Sequence, residues 1–207
     1  FAKVKELKKW ENTLILFLTD NGACPEQPNT TPNIPPGPVE SYRTVSVGWA
    51  NASNTPYRRF KSTDYEGGTR TPFIAHWPGV IKPGMTDQVG HIIDISATFR
   101  DITGAKYPKT INGNKTKDPV GKSLLPIFHG KTRESHKEIY WHFGSANAIR
   151  QGDLKAVRQG RSSWELYDLK ADPSEVNNLA KVNPEKTKEL GKMWESWSKE
   201  IKSRPRK

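Results

Sequence analysis

The sequence predicts an α/β protein that ends in a small antiparallel β subdomain with a C-terminal helix. The continuous apolar run from Thr13 to Thr19 is typical of a strand buried on both faces, as in a parallel sheet. Short aromatic and β-branched runs between residues 138 and 169 are separated by turn residues, which favours an antiparallel meander. A periodic apolar pattern over the last 25 residues predicts a helix against that meander.

The elements of the first part follow from local signals. Residues around Val4 and Leu7 fit the end of an amphipathic helix, and Asp20-Asn21-Gly22 ends the first strand with turn chemistry. The proline-rich stretch 24–38 predicts an extended loop, and Pro72 to Trp77 predicts a second strand. The spacing of Ile92, Ile95, Phe99 and Ile102 predicts a helix over 91–104, with Asp94 as N-cap and Gly104 just past its end.

A short buried segment, 123–128, precedes His129-Gly130, where we place the domain boundary. The chain is therefore expected to divide into residues 1–130 and residues 131–207. Strands are expected within 138–143, 148–151, 154–158 and 164–169. Asn183 as N-cap and Pro184 at the first helical position begin the last helix, whose apolar face carries Leu190, Met193, Trp194, Trp197 and Ile201.

Composition limits the classes of function. Lys and Arg number 33 against 22 Asp and Glu, which gives a net charge of +11 and a pI near 9.7. Such a balance favours polyanionic partners: nucleic acid, sulfated glycan or acidic lipid. No stretch approaches the roughly 20 apolar residues that a bilayer crossing needs. Cys24 is the single cysteine, so neither an intrachain disulfide nor a thiolate metal cluster can form.

Asp20 and Asn21 are the first candidate site residues. They follow a buried strand, and ligands in open α/β sheets collect beyond the carboxyl ends of strands. A carboxylate beside an amide offers the hard oxygen ligands that Ca²⁺ or Mg²⁺ prefers, although Ca²⁺ takes ~6 to 8 of them. The alternative is a plain Asn-Gly turn.

Lys61 is the second candidate, because an ammonium near the same strand end could neutralise a substrate oxyanion. The following Gly67-Gly68 pair would allow close backbone approach. The alternative for a lysine in a basic chain is a solvated charge. Trp49 and Asn51, in the loop ahead of Lys61, could contact a sugar or aryl ring, or could instead pack the loop itself.

Taken together and in order, these segments resemble the C-terminal half of the sulfatase family, the formylglycine-dependent type I arylsulfatases. The segments that carry the resemblance are the run 12–22, Lys61, Glu66-Gly67-Gly68, Thr71-Pro72, His76-Trp77-Pro78-Gly79, the 91–104 helix, 121–126, 164–169 and Asp172-Pro173-Ser174-Glu175. Each motif is weak alone, but the joint match spans nearly the whole chain.

The resemblance implies an alkaline-phosphatase-like mixed-sheet domain followed by the small antiparallel subdomain. It implies that Asp20 and Asn21 ligate calcium and that Lys61 contacts the substrate sulfate. The reaction it implies is hydrolysis of a sulfate ester: a formylglycine hydrate attacks sulfur, the alcohol leaves, and sulfate is then eliminated. The substrate would be a sulfated small molecule or glycan, and the location periplasmic or secreted.

The sequence departs from the family at the nucleophile. Formylglycine forms from Cys or Ser in Cys/Ser-x-Pro-x-Arg, whereas Cys24-Pro25-Glu26-Gln27-Pro28 has its proline misplaced and lacks arginine. Ser203-Arg204-Pro205-Arg206-Lys207 comes nearer but ends in lysine. We therefore expect no nucleophile in this chain, an inactive isolated chain, and an N-terminal half elsewhere in the same protein as its partner.

The alternative function is a non-catalytic basic module that binds polyanions such as sulfated glycan or nucleic acid. The basic residues are spread along the chain without an RNA-binding signature or zinc-finger spacing, which favours a solvated surface, and no nucleic-acid partner is expected. No membrane partner is expected either.

Overall fold

The computed structural model describes residues 1–26 and 31–202. In chain order its helices are α1 (Ala2–Glu6), α2 (Ser46–Ser53), α3 (Glu66–Thr69), α4 (Ile93–Thr103), α5 (Leu125–Phe128) and α6 (Pro184–Lys202), with a 3₁₀ turn at Trp10–Asn12. Its strands are β1 (Ile15–Leu18), β2 (Phe73–His76), β3 (Thr110–Ile111), β4 (Asn114–Lys115), β5 (Ile139–Phe143), β6 (Ala146–Gln151), β7 (Leu154–Gln159) and β8 (Glu165–Asp168). Among the helices of 1–26 and 31–202, none combines the length and hydropathy of a bilayer-spanning segment.

The chain forms two compact units, whose limits differ from the boundary predicted at residue 130. One unit contains residues 1–17 and 73–136, and the other contains the described residues of 18–72 and 137–207. Residues 18–72 group with the C-terminal part because Tyr65 joins its hydrophobic core and Glu66 pairs with the buried Lys155 of β7.

In the first unit, β1 pairs with β2, and β3 and β4 form a short antiparallel hairpin. Both strands expected in the first 80 residues are therefore present. Burial of β1 on both faces was wrong, because the Phe17 side chain is 62% exposed. Within the described residues, β2 is the only strand beside β1.

Helix α4 confirms the periodic pattern of the 91–104 segment, and Gly104 ends it in the left-handed conformation with φ 69°. Asp94 as N-cap was wrong, since Asp94 lies inside the first turn and is fully buried. Its carboxylate binds four groups instead: the backbone N–H of His91 (2.9 Å), the backbone N–H of Lys122 (2.9 Å), Arg133 Nη2 (2.8 Å) and His136 Nε2 (2.7 Å). The acid thus ties the first turn of α4 to the residue His91 before the helix and to the loops that follow it.

In the second unit, β5 to β8 form the expected antiparallel meander in sequential order. Helix α6 begins as predicted, with the side-chain Oδ1 of Asn183 accepting the N–H of Lys186 at 3.3 Å. Leu190 and Trp194 of α6 are buried against the sheet, where their neighbours are Ile149, Ala156 and Leu166. The indole N–H of Trp194 donates to the carbonyl of Trp141 at 2.8 Å, and Trp197 stacks on Tyr140 with 4.9 Å between ring centroids.

Candidate functional site

Helix α3 forms the base of the candidate site, and its two glycines are buried. The Gly67 N–H donates to the Arg58 carbonyl at 2.8 Å, and a Cβ on Gly67 would lie 2.2 Å from the Arg59 carbonyl oxygen. A Cβ on Gly68 would lie 2.1 Å from the Thr63 carbonyl oxygen. The paired glycines are needed because the backbone of 58–63 packs directly onto α3.

The turn after β1 packs against the same helix. The Gly22 N–H donates to the Gly68 carbonyl at 3.1 Å, and a Cβ on Gly22 would lie 1.7 Å from the Gly67 carbonyl oxygen. On the next residue, the Ala23 N–H donates to Asn54 Oδ1 at 3.1 Å. These bonds fix the backbone on the C-terminal side of Asp20 and Asn21.

Lys61 lies beside this turn. Its backbone N–H donates to the Ala23 carbonyl at 3.1 Å, and its ammonium lies 3.3 Å from Glu26 Oε1 and 3.9 Å from Cys24 Sγ. The hydrogen bond to Glu26 raises the pKa of the ammonium, and the electrostatic effects of Cys24 and Asp20 raise that pKa further. The structure therefore brings Lys61 close to the Asp20–Asn21 turn.

The side chains of Asp20 and Asn21 leave oxygen atoms available. Within 1–26 and 31–202, no hydrogen bond to the Asp20 carboxylate is found, and the side chain is exposed. The Asn21 amide nitrogen donates to the Gly22 carbonyl at 2.8 Å, which leaves Oδ1 as a potential ligand. Two hard oxygens fit part of a calcium site, which takes about 6 to 8. The described residues contain no group of three His, Cys, Asp or Glu side chains that could hold a metal, so this chain fits a partial site only.

The other candidate residues have simpler settings. Trp49 and Asn51 lie on α2, both exposed, with Trp49 at 70%. Their contact with a sugar or aryl ring stays a prediction. Cys24 is half-buried and unpaired by any disulfide. Gln27 and Pro28 of the first nucleophile-like segment, and all of 203–207, lie outside the described residues.

A buried ionic cluster behind α3 was missed from the sequence. Lys155 of β7 is fully buried, with its ammonium 2.8 Å from Glu66 Oε1 and 3.0 Å from Glu175 Oε1. The Glu66 N–H donates to Glu175 Oε2 at 2.7 Å. The available signal was a lysine within the run 154–157, whose neighbours Ala156 and Val157 are also fully buried, because a lysine is rarely buried unless it is paired.

Asp64 is a further buried acid, and its carboxyl lies near enough to Lys155 to feel its charge. Its side chain is 3% exposed, and its Oδ2 has no hydrogen-bond partner among the residues that the structure describes. Burial raises the pKa of the carboxyl to about 6, against the opposing charges of Lys155 and His142.

Comparison with solved structures identifies the fold class. A Bacteroides thetaiotaomicron protein, solved in work on the metabolism of multiple glycosaminoglycans, superposes with a TM-score of 0.69 at 28% identity. The match covers 98% of this chain and 41% of that one. The chain thus has the fold that we expected, an α/β domain with an alkaline-phosphatase-like mixed sheet followed by an antiparallel subdomain.

Family models identify the chain more closely. The model described as "N-sulphoglucosamine sulphohydrolase, C-terminal" matches residues 58–203, and the model described as "Sulfatase" matches residues 1–105. This chain belongs to the sulfatase family, and the resemblance noted in the sequence is confirmed.

Two curated relatives show how much of a sulfatase is present. An uncharacterized sulfatase of Schizosaccharomyces pombe is 32% identical over 92% of this chain and 38% of its own length. An N-acetylgalactosamine-6-O-sulfatase of Bacteroides thetaiotaomicron is 31% identical over 92% of this chain and 37% of its own length. The chain therefore spans less than half the length of these relatives.

Proposed function

We propose that the protein containing this chain hydrolyses sulfate esters, and that this chain supplies one side of the sulfate site. In this proposal, Lys61 binds the sulfate oxygens, and Asp20 and Asn21 contribute two ligands to a Ca²⁺ or Mg²⁺ ion. The observation that carries it is the hydrogen bond of 3.1 Å between the Lys61 N–H and the Ala23 carbonyl, which holds the lysine beside the Asp20–Asn21 turn.

The side chain of Lys61 has the charge and the hydrogen-bond donors needed to bind an anion. A lysine ammonium is charged at neutral pH, and it offers three hydrogen-bond donors. Glu26 accepts one of these donors at 3.3 Å, and we propose that a sulfate oxygen takes its place when substrate binds. Placing a fixed positive charge where negative charge develops is a main source of transition-state stabilisation.

The metal ligands have a complementary role. The Asp20 carboxylate and the Asn21 Oδ1 would each hold the cation from the turn that Gly22 fixes onto α3. A bound calcium ion would polarise the sulfuryl oxygens. The formylglycine nucleophile and the remaining metal ligands are expected in another part of the same protein, so the isolated chain should be inactive.

The proposed substrate is a sulfated small molecule or glycan. The net charge of +11 would raise the local concentration of such anions. Neither a nucleic acid nor a membrane is proposed as a partner.

An aryl sulfate assay tests this function. The chain alone should release no alcohol, and activity should appear when the formylglycine-bearing part of the protein is supplied. In that active assembly, Lys61→Met should lower kcat/KM by about 10² to 10³, the loss typical of removing one donor to a developing oxyanion. Lys181→Met, which removes an exposed lysine before α6, is the matched control.

Two results would overturn the assignment. Metal-dependent turnover by the chain alone would show that a nucleophile lies within it. Equal kcat/KM for Lys61→Met and Lys181→Met would show that Lys61 does not bind the reacting sulfate.

A further inference from the structure

Lys155, Glu66 and Glu175 form an ionic triad that is closed to solvent, with side-chain exposures of 0%, 5% and 0%. Lys155 belongs to β7 of the meander, whereas Glu66 is the first residue of α3. Glu175 lies in the loop after β8 and binds both partners, through Lys155 Nζ at 3.0 Å and through the Glu66 N–H at 2.7 Å. The triad thus fastens the beginning of α3 to β7 and to the loop after β8.

Short backbone contacts connect α3 to the candidate site. Its Gly68 carbonyl accepts the Gly22 N–H at 3.1 Å, directly after Asp20 and Asn21. Gly68 also packs against the Thr63 carbonyl, two residues after Lys61. At these contacts there is no room for a methyl group, so a shift of α3 must displace the Gly22 turn or the Lys61 segment.

Lys155 supplies the positive charge that compensates the two carboxylates of the triad. Two carboxylates share one ammonium, and Arg70 adds a more distant contact of 3.8 Å to Glu66 Oε2. Without Lys155, two buried carboxylates would remain, and the only hydrogen bond between Glu66 and Glu175 found in the described residues would be the one that the Glu66 backbone N–H donates to Glu175. Removing one partner of a buried ion pair is costly because it leaves charge uncompensated in a medium of low polarity.

We propose that Lys155 is a positioning residue for the sulfate site, acting through Glu66 and α3 on the Asp20–Asn21 turn and on Lys61. This inference rests on the function proposed for those three residues. Lys155 itself touches neither the turn nor Lys61, so its effect should be seen as a local loosening of both.

Amide hydrogen exchange of the 207-residue chain tests the inference without any need for activity. Lys155→Met keeps the length and apolar stem of the side chain and removes the charge. It should speed exchange at the Gly22 and Lys61 amides about a hundredfold, while the amides of α6 and of the β5–β6 ladder change much less. Lys186→Met is the matched control, because Lys186 Nζ binds Gln151 and Glu189 and has no bond to α3.

A uniform increase at all amides would overturn the inference, because it would show that Lys155 only contributes to global stability. An unchanged rate at Gly22 and Lys61 would overturn it as well. If Lys155→Met does not fold, Glu66→Gln decides the question, since it keeps the acceptor for Lys155 and removes the charge. It should show the same selective increase, about tenfold, and an even or absent increase would count against the proposal.

A second measurement links the triad to the site in the active assembly. Lys155→Met should raise the inhibition constant of inorganic sulfate about tenfold, whereas Lys186→Met should leave it unchanged. If the unmodified assembly hydrolyses no sulfate ester, the proposed function fails, and hydrogen exchange still decides whether Lys155 positions the turn.

Discussion

Replacing Asp64 by asparagine should remove a pH-dependent loss in the free energy of unfolding. The Asp64 side chain is 3% exposed, and its Oδ2 lacks a hydrogen-bond partner among the described residues. Burial raises its pKa from 3.8 to about 6, with Lys155 and His142 opposing the rise. Because one pKa unit corresponds to about 1.4 kcal/mol, ionised Asp64 costs the folded state about 3 kcal/mol.

The sign of the effect follows from the direction of the shift. Well below pH 4 the carboxyl is protonated in both the folded and the unfolded chain, and the folded state bears no cost. Between about pH 4 and pH 6 the unfolded chain loses this proton more readily than the folded chain. Stability from this group is thus present in acid, is lost as the pH rises to about 6, and stays lost above it.

Urea denaturation of the unmodified chain and of Asp64→Asn at pH 4, 5, 6 and 7 measures this directly. The free energy of unfolding of the variant, relative to the unmodified chain, should rise by about 2.5 kcal/mol from pH 4 to pH 7, because part of the effect is already present at pH 4. Any cost of burying the new amide shifts all four values equally and does not affect the comparison. Asp118→Asn, an exposed aspartate, should give a flat difference. A flat difference for Asp64→Asn would refute the reasoning.

Two further substitutions probe the turn and the lysine. Gly22→Ala places a methyl group 1.7 Å from the Gly67 carbonyl oxygen and should lower the free energy of unfolding by about 2 to 3 kcal/mol. Gly48→Ala, in α2 with nothing within 4 Å, should not destabilise the chain, and equal denaturation midpoints for the two variants would contradict the packing argument. Glu26→Gln should lower the pKa of Lys61, measured by carbon NMR of its side chain, because the carboxylate hydrogen bond is the largest cause of the rise. An unchanged pKa would show that Glu26 does not hold the ammonium in solution.

Elements specified by neighbouring residues could be predicted from the sequence. Helix α6 begins where the Asn183-Pro184 pair and the apolar spacing place it, because a cap and a periodic face are both local signals. The meander was also predictable, since turn residues separate its strands. The sequence pattern of β1 predicted a strand but not the exposure of Phe17, which depends on which strands lie beside it.

Residues whose partners are remote could not be assigned. Asp94 has the residue type of an N-cap, but its binding partners include Arg133 and His136, about 40 positions away. Lys155 and Glu66 are separated by 89 positions, and no spacing rule pairs them. For the candidate site, the order of motifs led us to expect the Asp20–Asn21 turn near Lys61. The structure brings them together, whereas their roles stay predictions.

The aromatic contacts between α6 and the meander provide a spectroscopic probe. Trp194 lies within about 6 Å of both Trp164 and Trp197, measured between ring centroids, and the guanidinium of Arg158 lies 4.4 Å from the Trp164 ring. Four of the seven tryptophans, at 141, 164, 194 and 197, thus lie in the C-terminal stretch of the chain. Intrinsic tryptophan fluorescence will therefore report mainly on whether α6 is packed against the meander. Exciton coupling among the neighbouring indoles should also give a near-ultraviolet circular dichroism signal, which disappears when this helix detaches.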